Sequence, residues 1–124
     1  MKVFKSVLFI TLTVILLLAL SACDRDILQN AVDDINADES LKEELSGLYK
    51  IHASKRGSST IVYTFSAERE ELATAEVSKA VAEGGSNEFR NALNEMQKAR
   101  ISDPQIILEF FDLDGILIYT HIFD

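Results

Sequence analysis

IILEFFDLDGILIYTHIF, residues Ile106 to Phe123, is the most apolar run of the chain after Leu20, and it is interrupted once, at Asp112-Leu113-Asp114-Gly115. Two runs rich in β-branched and aromatic residues on either side of Asp-Gly read as a β-hairpin. Two registers are open. A two-residue turn at Asp114-Gly115 pairs Leu113 with Ile116 and mixes Glu109 and Thr120 into the face carrying Ile107, Phe111 and Ile118. A three-residue loop, Leu113-Asp114-Gly115 with the glycine left-handed, pairs Asp112 with Ile116 instead. That choice gathers Ile106, Leu108, Phe110, Ile116, Ile118 and Ile122 on one face and leaves Glu109, Tyr119 and His121 on the other. A slip of one residue exchanges the faces, so the register that separates them cleanly is the expected one.

Period-two patterning also runs upstream. Tyr49, Ile51 and Ala53 alternate with Lys50, His52 and Ser54, and Ile61, Tyr63 and Phe65 alternate with Val62 and Thr64 across a turn-rich gap, Lys55 to Ser59. A second hairpin follows, with Ala53 facing Ile61, Ile51 facing Tyr63 and Tyr49 facing Phe65. Between the hairpins the period becomes helical. Ser66 offers a cap before Glu68, Glu70 and Glu71, the stripe Leu72, Ala73, Val77, Ala80 and Val81 follows, and Gly84-Gly85 stops it. Ser86 or Asn87 then caps a helix with Phe89, Leu93 and Met96 inward, and Pro104 leads into the last strands. The two helices are expected to form an antiparallel pair.

Ahead of the first strand, Ile27, Leu28, Ala31, Val32 and Ile35, then Leu41, Leu45 and Leu48, recur at helical spacing on either side of Asn36-Ala37-Asp38. Weak helices over 27–35 and 39–46, the latter ended by Gly47, are the expectation. The five aspartates Asp24, Asp26, Asp33, Asp34 and Asp38 equally suit a solvated tether.

At the start, Lys2 and Lys5 precede the uncharged stretch Val7 to Leu20, which has the length of an export signal's apolar core rather than the ~20 residues of a spanning helix. Leu20-Ser21-Ala22-Cys23 resembles the lipobox of bacterial lipoproteins. The resemblance implies that Cys23 is lipidated and becomes the first residue after cleavage, and two acyl chains suffice for stable anchoring. Cys23 is the one cysteine of the chain, so no disulfide framework is possible. The formal net charge is −8, and cleavage would remove Lys2 and Lys5 but no acid. A surface this acidic argues against nucleic acid and against attraction to anionic lipid, which leaves the lipid itself as the link to the membrane.

Beyond the anchor, Leu41 to Phe123 resembles a family of small Gram-positive lipoproteins whose shared domain has no assigned function. The shared order is Ile61-Val62-Tyr63-Thr64-Phe65 after a short strand, a Glu-rich helix, a second helix with one Phe, a strand led by Asp103-Pro104, and Asp114-Gly115 before a closing strand. The loop Lys55 to Ser59 is longer than usual for that family, and Ile116 stands where a small polar residue is commoner. The resemblance implies a shape and an anchor, and it adds no catalytic residue.

Chemistry-bearing patterns fall short on their own terms. Phe110 to Leu117 looks like the first motif of haloacid-dehalogenase-type phosphatases, but only nine residues follow Gly115, too few for the parallel sheet and the further carboxylates that chemistry needs. Asp112, Asp114 and Gly115 match the middle of an EF-hand loop, yet Phe110 and His121 occupy its first and last ligand positions. His52 and His121, with Glu109, share a sheet face in the expected registers and could hold zinc, against which stands the commoner pair of surface histidines. Glu68, Glu70, Glu71 and Glu76 read as a solvated helix face.

The expected architecture is α+β: a four-stranded antiparallel sheet from two hairpins with the helix pair on one face, in the order α-ββ-αα-ββ. Residues 1–22 form the signal peptide, 23–46 an acidic tether with weak helices, and 47–124 the domain. The second sheet face, with Val62, Thr64, Ile107, Phe111, Tyr119 and His121, is too apolar for full solvation. Residues 27–46 could cover it, a second molecule could pair with it, or it could bind a partner. The expected function is a membrane-anchored extracytoplasmic lipoprotein acting as a non-catalytic binding or interaction module, with no cofactor. The alternatives are an envelope metal-binding protein or enzyme, and an inhibitor or immunity-type protein. The sequence leaves the oligomeric state and any protein partner open.

Overall fold

The structure, a computed structural model, describes residues 27–124. Helices α1 (Ile27–Ala37) and α2 (Glu39–Glu44) come first, then strands β1 (Tyr49–Arg56) and β2 (Thr60–Ala67). After a short 3₁₀ turn at Glu70–Leu72 come α3 (Ala75–Gly84) and α4 (Ser86–Lys98), and the chain closes with β3 (Gln105–Phe111) and β4 (Leu117–Phe123). The class is α+β and the order is α-ββ-αα-ββ, as the patterning implies.

The four strands lie side by side in sequence order. β1–β2 and β3–β4 are antiparallel hairpins, but the central pair β2–β3 runs parallel, so the sheet is mixed rather than antiparallel throughout. A parallel neighbour needs a long crossover, and residues 68–104 supply it. They return the chain to the start of β2, where the Gln105 amide donates to the Ser59 carbonyl at 3.0 Å.

Both hairpin registers differ from expectation. In the first, Ala53 faces Tyr63, Ile51 faces Phe65 and Tyr49 faces Ala67, a shift of two residues that keeps every side chain on its face. The cause is the turn. Gly57 has φ +69, a left-handed conformation that glycine adopts without penalty, and Lys55 and Arg56 therefore stay in the strand.

The second hairpin combines the two candidate registers. The loop is Leu113-Asp114-Gly115, with Gly115 at φ +79 and the Asp112 amide donating to the Ile116 carbonyl. Between Phe110 and Phe111 the register then shifts, so that Phe111 faces Leu117 but Phe110 faces Tyr119, leaving Ile118 as the extra residue of a β-bulge. Beyond the bulge Glu109 faces Thr120 and Ile107 faces Ile122. Tyr119 and His121 consequently share the face of Phe110 and Leu108, and Ile122 moves to the opposite one.

The helices between the hairpins also start later than expected. Ser66 is still in β2, and the cap of α3 is Thr74, whose hydroxyl accepts from the Val77 amide at 3.2 Å. One residue, Gly85, separates α3 from α4, which leaves no room for the roughly two-to-five-residue loop of an antiparallel helix pair. Both helices instead lie against β3 and β4.

One core holds all of these elements together. Leu28, Ala31, Val32 and Ile35 of α1 and Leu41 and Leu45 around α2 belong to the same buried cluster as Ile51, Tyr63, Phe65, Phe89, Leu108 and Phe110. The folded unit therefore includes α1 and α2 as well as residues 47–124, and the stretch 27–45 is built into it. At its centre the Phe65 and Phe110 rings, opposite one another across the parallel pair, stack at 4.8 Å, and Tyr49 meets both edge-on. Rings in such contact add about 0.5–1.5 kcal/mol beyond their buried area.

Candidate interaction face

Side chains alternate across a strand, and the registers assemble the second sheet face row by row. Lys50, Ser66, Phe111 and Leu117 form one row, His52, Thr64, Glu109 and Thr120 the next, and Ser54, Val62, Ile107 and Ile122 a third. Val62 is 1% exposed and Ile107 7%, yet neither belongs to the cluster that contains every buried hydrophobic residue of the helices. All the described helices thus pack on the other face. Coverage of this face by residues 27–46, one of the expected arrangements, does not occur for the described part of that stretch.

Four of the six expected face residues are brought together: Val62, Thr64, Ile107 and Phe111. Tyr119 and His121 are not among them, because the bulge at Ile118 turns them to the helix side. There the Tyr119 hydroxyl lies 2.8 Å from His121 Nδ1, and the His121 ring packs against Phe123 at 4.6 Å between centroids. Burial raises the Tyr119 hydroxyl above its ordinary pKa, and the Glu83 carboxylate adds to the effect.

The face has two unlike halves. Toward β1 it is polar and carries the cations Lys50 and Arg56, with His52 exposed between them and Arg56 Nη2 3.4 Å from the Glu109 carboxylate. Toward β4 it is apolar and open, with Leu117 47% and Ile122 51% exposed, continuing into Leu113 and Ile116 of the loop. All four of these exposed large hydrophobic residues fall in the last hairpin.

The residues that could carry chemistry are dispersed. His52 stands on the open face of one edge strand and His121 on the helix face of the other, so the zinc arrangement weighed as an alternative from the sequence does not assemble. Among the described residues, no three His, Cys, Asp or Glu side chains are grouped to hold a metal ion. Asp112 Oδ1 accepts from the amides of Asp114 and Ile116, both at 2.9 Å. It closes its own turn, as an Asx side chain does. Two clefts of about 400 Å³ adjoin the domain, one lined by Gln97, Ile101, Asp103 and Asp124, the other by Lys42, Tyr49, Lys50 and Glu68. Neither contains a histidine. Burial pushes the Tyr49 hydroxyl up to about 12.

Asn36, which reads in the sequence as a break between helices, has a structural task. Its amide Nδ2 donates to the Ala53 carbonyl at 2.8 Å and its Oδ1 accepts from the Ala53 amide at 2.7 Å. The side chain thereby imitates a neighbouring strand along the edge of β1. An amide at the end of an apolar helix stripe is the sequence signal for such a contact, but its partner lies 17 positions away.

Cys23 and the lipobox lie outside the described residues. Among the described residues no helix is long and apolar enough to cross a membrane. No protein-family model, curated protein or solved structure matches this chain.

Proposed function

We propose that this chain is an extracytoplasmic lipoprotein, held at the membrane through lipid on Cys23, whose domain binds a protein partner through the open face of its sheet. The observation that carries the reading is the face itself: a sheet with all its described helices on one side and, on the other, Leu117 and Ile122 exposed beside a half-buried Phe111. Larger exposed apolar patches are characteristic of interaction sites. The dispersal of His52, His121 and Asp112 supports a non-catalytic role. The anchor rests on the resemblance of Leu20 to Cys23 to a lipobox. With Asp24-Arg25-Asp26 alone between Cys23 and α1, the domain would stand within roughly 14 Å of the bilayer, at ~3.5 Å per extended residue.

Two measurements on the full chain in its native envelope test the two halves of the reading. A photo-crosslinker at Phe111 should capture a partner that the same group at Lys98, on the helix side, does not. Equal capture at both positions, or none at Phe111, would sink the face. Labelled palmitate should enter the parent and not Cys23→Ala, and equal labelling of the two would sink the anchor.

A further inference from the structure

β4 is an edge strand, and it is chemically a palindrome. Leu117-Ile118-Tyr119-Thr120-His121-Ile122-Phe123 has Thr120 at its centre, an aromatic hydrogen-bonding residue on each side of it, isoleucine beyond each of those and a large apolar residue at each end. Among the described residues no backbone hydrogen bond runs from this strand to anything but β3 and its own turn. Edge strands are ordinarily blunted by lysine, proline or an inward charge. Leu117 to Phe123 contains no Lys, Arg, Asp, Glu or Pro.

We propose that β4 pairs antiparallel with β4 of a second copy of this chain, about a two-fold axis at Thr120, to make one continuous sheet across the two copies. The palindrome selects this occupant. An isologous contact sets residue i against j and j against i, and about Thr120 it sets threonine against threonine and Tyr119 against His121. The last pair already hydrogen-bonds within the strand, and Thr–Thr and aromatic pairs are favourable across strands. Thr120 and Ile122 of both copies fall on the open side, so the two apolar half-faces become neighbours. The charge pattern points the same way: in a chain of formal net charge −8 a second copy is repelled from most of the surface, and a neutral strand is where it can approach. The bulge at Ile118 twists the end nearest the loop, which confines regular pairing to about the central three residues, Tyr119 to His121. This inference uses the edge backbone and does not rest on the use of the face, so Phe111 variants and Thr120 variants can fail separately.

The test uses the full chain, in membranes and in detergent. Thr120→Cys should give a disulfide-linked dimer on mild oxidation, over and above whatever the parent gives through Cys23, and His52→Cys on the other edge should not. In sedimentation the parent should be a dimer that tightens as salt screens its charge. Thr120→Lys should weaken association at least roughly tenfold, because it sets two lysines face to face, while leaving the unfolding midpoint unchanged at concentrations low enough that the parent is monomeric. A parent that stays monomeric at the highest soluble concentration overturns the proposal, as does equal cross-linking at His52→Cys. Cross-linking of Thr120→Cys to a different polypeptide overturns it too, since a foreign strand would then take the edge.

Discussion

The two edges of the sheet are finished in opposite ways. Along β1 the Ala53 amide and carbonyl are met by the Asn36 side chain, and Lys50, Lys55 and Arg56 lie in the strand. β4 itself carries no charged residue, and among the described residues no side chain stands in for a strand along it. A sheet that closes one edge with a purpose-placed amide and leaves the other neutral has a preferred direction in which to grow, because unpaired edge groups are templates for another strand.

Alkaline pH should separate the two sides most strongly. Tyr49 and Tyr63, on the β1–β2 side, are buried, and burial lifts both hydroxyls, that of Tyr49 from 10.0 to about 12 and that of Tyr63 further. A raised folded pKa stabilises the fold fully below pH 10.0, and that contribution is lost as pH rises through the folded value. Phenolate absorbance should therefore show Tyr119, on the β4 side, ionising first, and the other two ionising together with loss of circular dichroism. Three tyrosines titrating in one step would remove the distinction between the sides.

Next in size is Asn36→Ala. It strands the amide and carbonyl of Ala53, a residue with no exposed surface, and should cost about 2–3 kcal/mol in urea unfolding. A cost below ~0.5 kcal/mol would mean that water closes the β1 edge as well as Asn36 does. The smallest effect belongs to Thr120→Lys, whose stability, compared at concentrations where both proteins are monomeric, should stay within ~0.5 kcal/mol of the parent while its self-association changes.

Much of this arrangement was legible in the residues. Alternation at Tyr49 to Phe65 and at Ile106 to Phe123 identifies four strands, and the helical stripes place the segments between them, because burial imposes its period on the sequence. What stayed hidden depends on long-range geometry. The bulge at Ile118 costs one residue and no unusual composition, yet it moves Tyr119 and His121 from the candidate face to the core side. The parallel pairing of β2 and β3 is decided by where the crossover returns the chain, and no local pattern records it. Asn36 looked like a helix break because its partner lies in another element. The open face was half legible: Val62, Thr64, Ile107 and Phe111 were recognisable from their strand positions, whereas Leu117 and Ile122 depended on the register.

The parallel centre of the sheet also bears on how the chain reaches its native state. Each hairpin can close locally, on the microsecond scale of such units, but Thr60 meets Gln105 only after the whole helical crossover has been ordered. Non-local pairing of this kind slows folding. Until it forms, the inner edges of β2 and β3 are as bare as the outer edge of β4. Refolding monitored by hydrogen exchange should protect the amides within each hairpin before those that bond β2 to β3, and simultaneous protection would contradict this order. If the chain is exported, as proposed, the vulnerable interval is the one between emergence and closure of that central seam.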